Sequence, residues 1–142
     1  MPVYEQSKFH RGGDNTMQTT QAQASAGPST GRQPAGPLKG LKIIDLTAVL
    51  MGPYCTQMLG DMGADVIKVE PPDGDMVRQI GPARHADMGP IFLNTNHSKR
   101  SIVIDLKKPE GLDLLMRLIS DADVLVYNVR PQAMERLGLS YE

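Results

Sequence analysis

Hydrophobic residues are nearly absent from positions 1–36 and then arrive in a regular order. Short apolar runs at Lys42–Leu46 (KIIDL), Asp65–Glu70 (DVIKVE), Ser101–Leu106 (SIVIDL) and Val124–Tyr127 (VLVY) predict four strands. The first run is nearly continuous apart from Asp45, as expected for a strand covered on both faces. Between them lie helical spacings. Gly52-Pro53 opens one helix, with Tyr54, Cys55, Met58, Leu59 and Met62 as its expected buried face. Gly60 would let that helix approach a neighbouring backbone closely, and Gly63 is a left-handed stop. Pro109 opens a second helix with the stripe Leu112, Leu115, Met116 and Ile119, closed by Asp121 and Ala122. Pro131 opens a third, with Met134 and Leu137 inward and Gly138 at its end.

Strand, helix and strand joined by short links read as right-handed parallel crossovers. Two such units in tandem predict an open, mostly parallel α/β sheet. The stretch Pro71–Pro90, rich in Pro and Gly, is a long loop, and Ile91–Asn96 a short helical turn. Positions 1–36, dominated by Gln, Thr, Ser, Ala, Gly and Pro, cannot offset the ~1–2 kcal/mol per residue that ordering a backbone costs, and are expected to be a disordered tail. Met17 is as good a start as Met1. Positions 37–142 form the domain part.

Composition excludes more than it assigns. The 142 residues carry a formal net charge of −1, so no global field points to nucleic acid or a membrane surface. No run approaches the ~20 apolar residues of a membrane span. The N-terminus lacks the apolar core of a signal peptide. The single Cys55 can form neither an internal disulfide nor a zinc cluster, which fits a reducing, cytoplasmic setting.

Ligands of open α/β sheets bind beyond the carboxyl ends of the strands. Four segments qualify: Thr47–Gly52, Glu70–Asp75, Lys107-Lys108 and Asn128–Pro131. Three of them lead into helix N-termini, which suit phosphate or carboxylate. Lys99, Arg100, Lys107, Lys108, Arg130 and Arg136 lie near the same segments, which suggests a polyanionic small molecule. The turn TAVLMGP lacks the glycines of a dinucleotide fingerprint, and there is no GxxxxGK[ST]. Candidate catalytic groups are thin. Cys55 reads as a core thiol, His85 and His97 as surface residues, and Asp45 and Asp105 as structural carboxylates holding turn N–H groups. No metal site is expected.

The segment GLKIIDLTAVLMGPYCTQMLGDMGADVIKVEPPDGD resembles the amino-terminal signature of the class III coenzyme A transferases, the family of formyl-CoA transferase and the carnitine CoA-transferases. NTNHSKRSIVIDLKKPEG and ADVLVYNVRPQAMERLGLSYE resemble two further blocks of that family, so the likeness covers Gly40–Glu142. It implies a Rossmann-like large domain that binds coenzyme A or acyl-CoA as substrate, with no permanently held cofactor. It points to CoA contacts at Ala48, Val49, Leu50 and Met51, at Ile104 and Lys107, and at Asn128, Val129, Arg136 and Leu137. Lys107 and Arg136 would meet phosphate oxygens. Asn128 would meet the adenine or ribose end, and the apolar turn would flank the pantetheine arm. Ala48 and Leu50 stand where formyl-CoA transferase has His and Gln, which argues against oxalate or formate. Pro71 stands in place of an Arg and Val129 in place of a Phe.

The resemblance also implies an aspartate nucleophile beyond Glu142, a smaller second domain and interlocked homodimers. The chain is therefore expected to be an amino-terminal piece without transferase turnover. An α-methylacyl-CoA racemase of the same fold, or a truncated non-catalytic relic, are the alternatives.

Overall fold

A computed structural model describes residues 36–140. The expected tail, up to position 35, lies outside the described residues.

Four parallel strands form one sheet: β1 (Lys42–Leu46), β2 (Asp65–Glu70), β3 (Lys99–Val103) and β4 (Val124–Tyr127), in the order β3-β2-β1-β4. The helices are α1 (Met51–Asp61), α2 (Pro90–Thr95), α3 (Pro109–Ser120) and α4 (Pro131–Arg136). The chain walks outward from β1 to β3, then returns through α3 to place β4 on the other side of β1. This reversal of direction puts a topological switch point between β1 and β4, the place where open α/β sheets leave a crevice.

Period-2 alternation divides the sheet into two chemically different faces. Ile44, Val69 and Ile104 pack under Leu115 of α3, with Leu46, Ile67, Ile102, Leu112, Leu118, Ile119 and Leu125 around them. The other face carries Ile43, Val66 and Ala64, packed with Leu59 of α1 and with Leu38 and Val126. The same alternation sends Asp45, Lys68 and Glu70 to the α1 side, and all three are buried. Half of that face is therefore ionic.

This explains the largest departure from the sequence pattern. On α1 the buried residues are Pro53, Thr56 and Gln57, while Tyr54, Cys55 and Met58, and Met62 just past its end, are exposed and Leu59 is half-buried. The expected apolar face was rotated outward because the sheet beneath α1 offers a carboxylate. The Thr56 hydroxyl donates to Asp45 at 2.6 Å and so turns inward. Cys55 is not a core thiol. On α3, Met116 is likewise exposed, and Leu118 packs inward in its place.

β3 begins two residues before the apolar run and ends at Val103. Lys99 and Arg100 sit opposite Val66 and Ile67, where Asp45 and Asp65 neutralise them. Gly60 makes the close approach that its position suggested: a Cβ there would lie 2.6 Å from the Ser98 carbonyl oxygen. Gly63 (φ 99°) and Gly138 (φ 69°) are left-handed as expected at helix ends. Among the described residues no helix is long and apolar enough to cross a membrane.

Candidate functional site: the crevice at the switch point

The carboxyl ends of all four strands border a cavity of about 410 Å³. Leu46 closes it from β1, Val69 to Asp73 from the end of β2, Ile104 to Lys107 from the end of β3, and Val129, Met134 and Leu137 from the segment after β4. Apolar side chains dominate the wall, and Lys107 is its one cation among the described residues.

The structure brings Ile104, Lys107, Val129 and Leu137 together in this lining. Ala48, Val49, Leu50 and Met51 form the neighbouring turn into α1, all exposed. Arg136 lies in the last turn of α4, exposed and outside the lining. Asn128 joins the two groups: its Oδ1 accepts from the Ala48 N–H at 3.0 Å and its Nδ2 donates to the Ala48 carbonyl at 2.9 Å. The amide thus staples the turn to the end of β4.

Of the cations the sequence placed near the crevice, two face elsewhere. Arg100 pairs with Asp65, the first residue of β2 and so at the opposite end of the sheet. The Lys99 side chain is sealed beneath α1, its Nζ 3.0 Å from Asp45, 2.8 Å from the Pro53 carbonyl oxygen and 2.8 Å from Asn96 Oδ1. Burial draws its ammonium below the ordinary lysine value, with Asp45 opposing that pull. Asp45 and Asp105 are the structural carboxylates expected, accepting from the Thr47 and Lys107 N–H groups at 2.9 and 3.1 Å.

Sequence reasoning missed the ion pairs below the crevice. Lys68 Nζ lies 3.0 Å from Asp75 with side-chain exposures of 2% and 1%, and it donates to the Thr47 carbonyl at 2.8 Å. Arg78 forms a fork onto Glu70, with Nε and Nη2 each 2.7 Å from a carboxylate oxygen, and stacks 3.6 Å from the Phe92 ring centroid. Burial is the largest single influence on Glu70 and pushes it upward. Hydrogen bonds from Arg78, Ser101 and the Asp75 N–H together outweigh it and hold the carboxyl at about 2, against an ordinary 4.5. The available signal was the alternation itself, which placed Lys68 and Glu70 on one buried face.

The sequence profile of CoA-transferase family III matches residues 38–142. The chain belongs to that family. It is 42% identical over 110 residues to a (R)-2-hydroxy-4-methylpentanoate CoA-transferase of Clostridioides difficile, a match covering 74% of this chain and 27% of that protein. With a succinate–glutarate CoA-transferase of Agrobacterium fabrum it shares 48% identity over 113 residues, covering 75% of this chain and 28% of the relative. The crystal structure of a CAIB/BAIF family protein from Brucella suis superposes with a TM-score of 0.70 at 41% identity, over 75% of this chain and 29% of that one. The chain thus spans a little over a quarter of the length of these relatives. In this CoA-transferase family III chain, the matched region contains the whole four-stranded sheet and every residue of the crevice.

Proposed function

We propose that the described residues form the coenzyme-binding portion of an acyl-CoA:carboxylate CoA-transferase. The observation that carries this reading is the switch-point cavity of about 410 Å³, lined mostly by apolar residues, with Lys107 as its one cation among the described residues beside the acids Glu70, Asp73 and Asp105, in a chain of CoA-transferase family III. An apolar slot suits a pantetheine arm, and a lysine at its edge suits a phosphate. The transferase names carried by the relatives favour transfer over racemisation.

In this proposal an aspartate carboxylate attacks the thioester carbonyl and expels the CoA thiolate, leaving a mixed anhydride. The thiolate then attacks the aspartyl carbonyl, giving an aspartyl-CoA thioester and releasing the first acid. A second carboxylic acid takes the CoA by the reverse sequence. Two of the cavity's acids, Glu70 and Asp105, are poor nucleophiles for this. Both oxygens of Glu70 are bonded to Arg78, and Asp105 accepts from the Lys107 N–H with Lys108 Nζ 3.8 Å away. The attacking aspartate is supplied outside the described residues, and the 142-residue chain binds without turning over. Interlocked pairing of complete subunits belongs to the same proposal, and the outward apolar stripe Met51, Tyr54 and Met58 of α1, continued by Met62 just past its end, supports it as surface suited to cover.

Calorimetric titration of the chain with CoA tests the reading. Lys107→Ala and Arg136→Ala should each weaken binding by about five- to tenfold, the loss of one charge-assisted contact. A measurable affinity that neither substitution changes would overturn the site, and turnover by the isolated chain would overturn the external nucleophile.

A further inference from the structure

The turn into α1 is held in a costly conformation by side chains from four separate segments. Val49 has φ 75°, in the left-handed region that a β-branched residue avoids. Its N–H points between the two oxygens of Asp75, at 3.3 and 3.4 Å. The Thr47 carbonyl accepts from Lys68, the Thr47 N–H donates to Asp45, and both backbone groups of Ala48 are bonded to Asn128. Beneath the turn the Lys68–Asp75 and Lys99–Asp45 pairs form a buried, charge-balanced floor. α1 itself adds nothing at this end, since its N-cap Leu50 makes no side-chain cap and its first turn holds no acid.

We infer that the buried Lys68–Asp75 pair is a positioning device for the reaction: it grips Thr47 and Val49 and so presets the apolar turn Val49–Met51 against the crevice. The reason is economy of alternatives. A buried pair is weak evidence of stability gain, because apolar residues of similar volume serve as well or better. A pair whose two members each hold one backbone group of a strained turn is doing something an apolar pair cannot. Val49 would otherwise relax to negative φ, and Leu50 and Met51, in the turn beside the crevice, would move with it. This inference rests on the CoA reading for its ligand, and on the hydrogen-bond geometry of the turn for everything else.

The test replaces both charges at once, Lys68→Met with Asp75→Leu, which keeps the floor packed and avoids stranding a single buried charge. Amide hydrogen exchange of the ligand-free chain should show Val49 exposed by at least about tenfold, with the β1 and β2 ladder amides unchanged, since the left-handed state of a non-glycine residue is a minor one once released. CoA affinity should fall by about tenfold for the same reason. Adding Val49→Gly should restore affinity to within about threefold of the unsubstituted chain, because glycine takes φ 75° without strain. A purely structural pair would give no such rescue. Unchanged Val49 exchange overturns the inference outright. Unchanged CoA affinity, in a chain that binds CoA, overturns the positioning role. If the unsubstituted chain binds no CoA, it is the CoA reading that fails, and Val49 exchange still decides whether the pair holds the turn.

Discussion

Replacing Arg78 by Met removes the only cation paired with Glu70 among the described residues while keeping an unbranched apolar stem in its place. The Glu70 carboxyl is 1% exposed on its side chain. Its depression from 4.5 to about 2 corresponds to about 3 kcal/mol of native-state stability. Because the folded value lies below the unfolded one, this stability is fully present above pH 4.5 and is lost as the pH falls through about 2. Without Arg78 the upward push of burial is opposed only by Ser101 and the Asp75 N–H. The variant should therefore be destabilised by about 3–5 kcal/mol at pH 7, the usual result of stranding a buried charge. Loss of the stacking on Phe92 adds roughly 1 kcal/mol. At pH 3.5 the stranded carboxyl is protonated in the variant, so the gap should narrow to about 2 kcal/mol or less. Urea unfolding followed by circular dichroism at pH 7, 5 and 3.5 measures it. A difference below about 1 kcal/mol at pH 7, or one that does not shrink on acidification, would refute the account of this pair.

Two further outcomes follow from packing. Gly60→Ala places a Cβ 2.6 Å from the Ser98 carbonyl oxygen, a backbone atom that cannot swing aside, and should cost about 1–3 kcal/mol despite the helix preference for alanine; thermal melting reads it, and a neutral or stabilising result would remove the close contact between α1 and β3. Cys55, exposed on α1, should react with a thiol reagent in native buffer as completely as in urea, whereas protection in the folded chain would restore the inward orientation that the apolar spacing suggested.

The strand pattern was legible because its apolar runs are local: KIIDL, DVIKVE and VLVY each became the strand they spelled. Proline marked the starts of α3 and α4 for an equally local reason. Ile104, Val129 and Leu137, to which the family resemblance pointed, also line the crevice. The ion pairs below it were not legible. Lys68 lies inside the β2 run, Asp75 in the loop after it and Lys99 at the start of β3, and their ion-pair partners lie 7 and 54 positions away in sequence. The face of α1 was misassigned for the same reason. Apolar period assumes that the sheet below is apolar, and here Asp45 recruits Thr56 across the interface.

The strand order has a consequence for how the crevice is assembled in time. Ile43 of β1 meets Val66 across 23 positions but Val124 across 81. Closing the longer loop costs roughly 1 kcal/mol more in chain entropy. β1–β2 pairing therefore precedes β1–β4 pairing, and the Asn128 staple on Ala48 waits for the last strand to dock. The turn into α1 is thus completed at the end of folding rather than at its nucleus. Loss of the Asn128 amide should accelerate unfolding while leaving the refolding rate almost untouched, the signature of a contact made after the barrier.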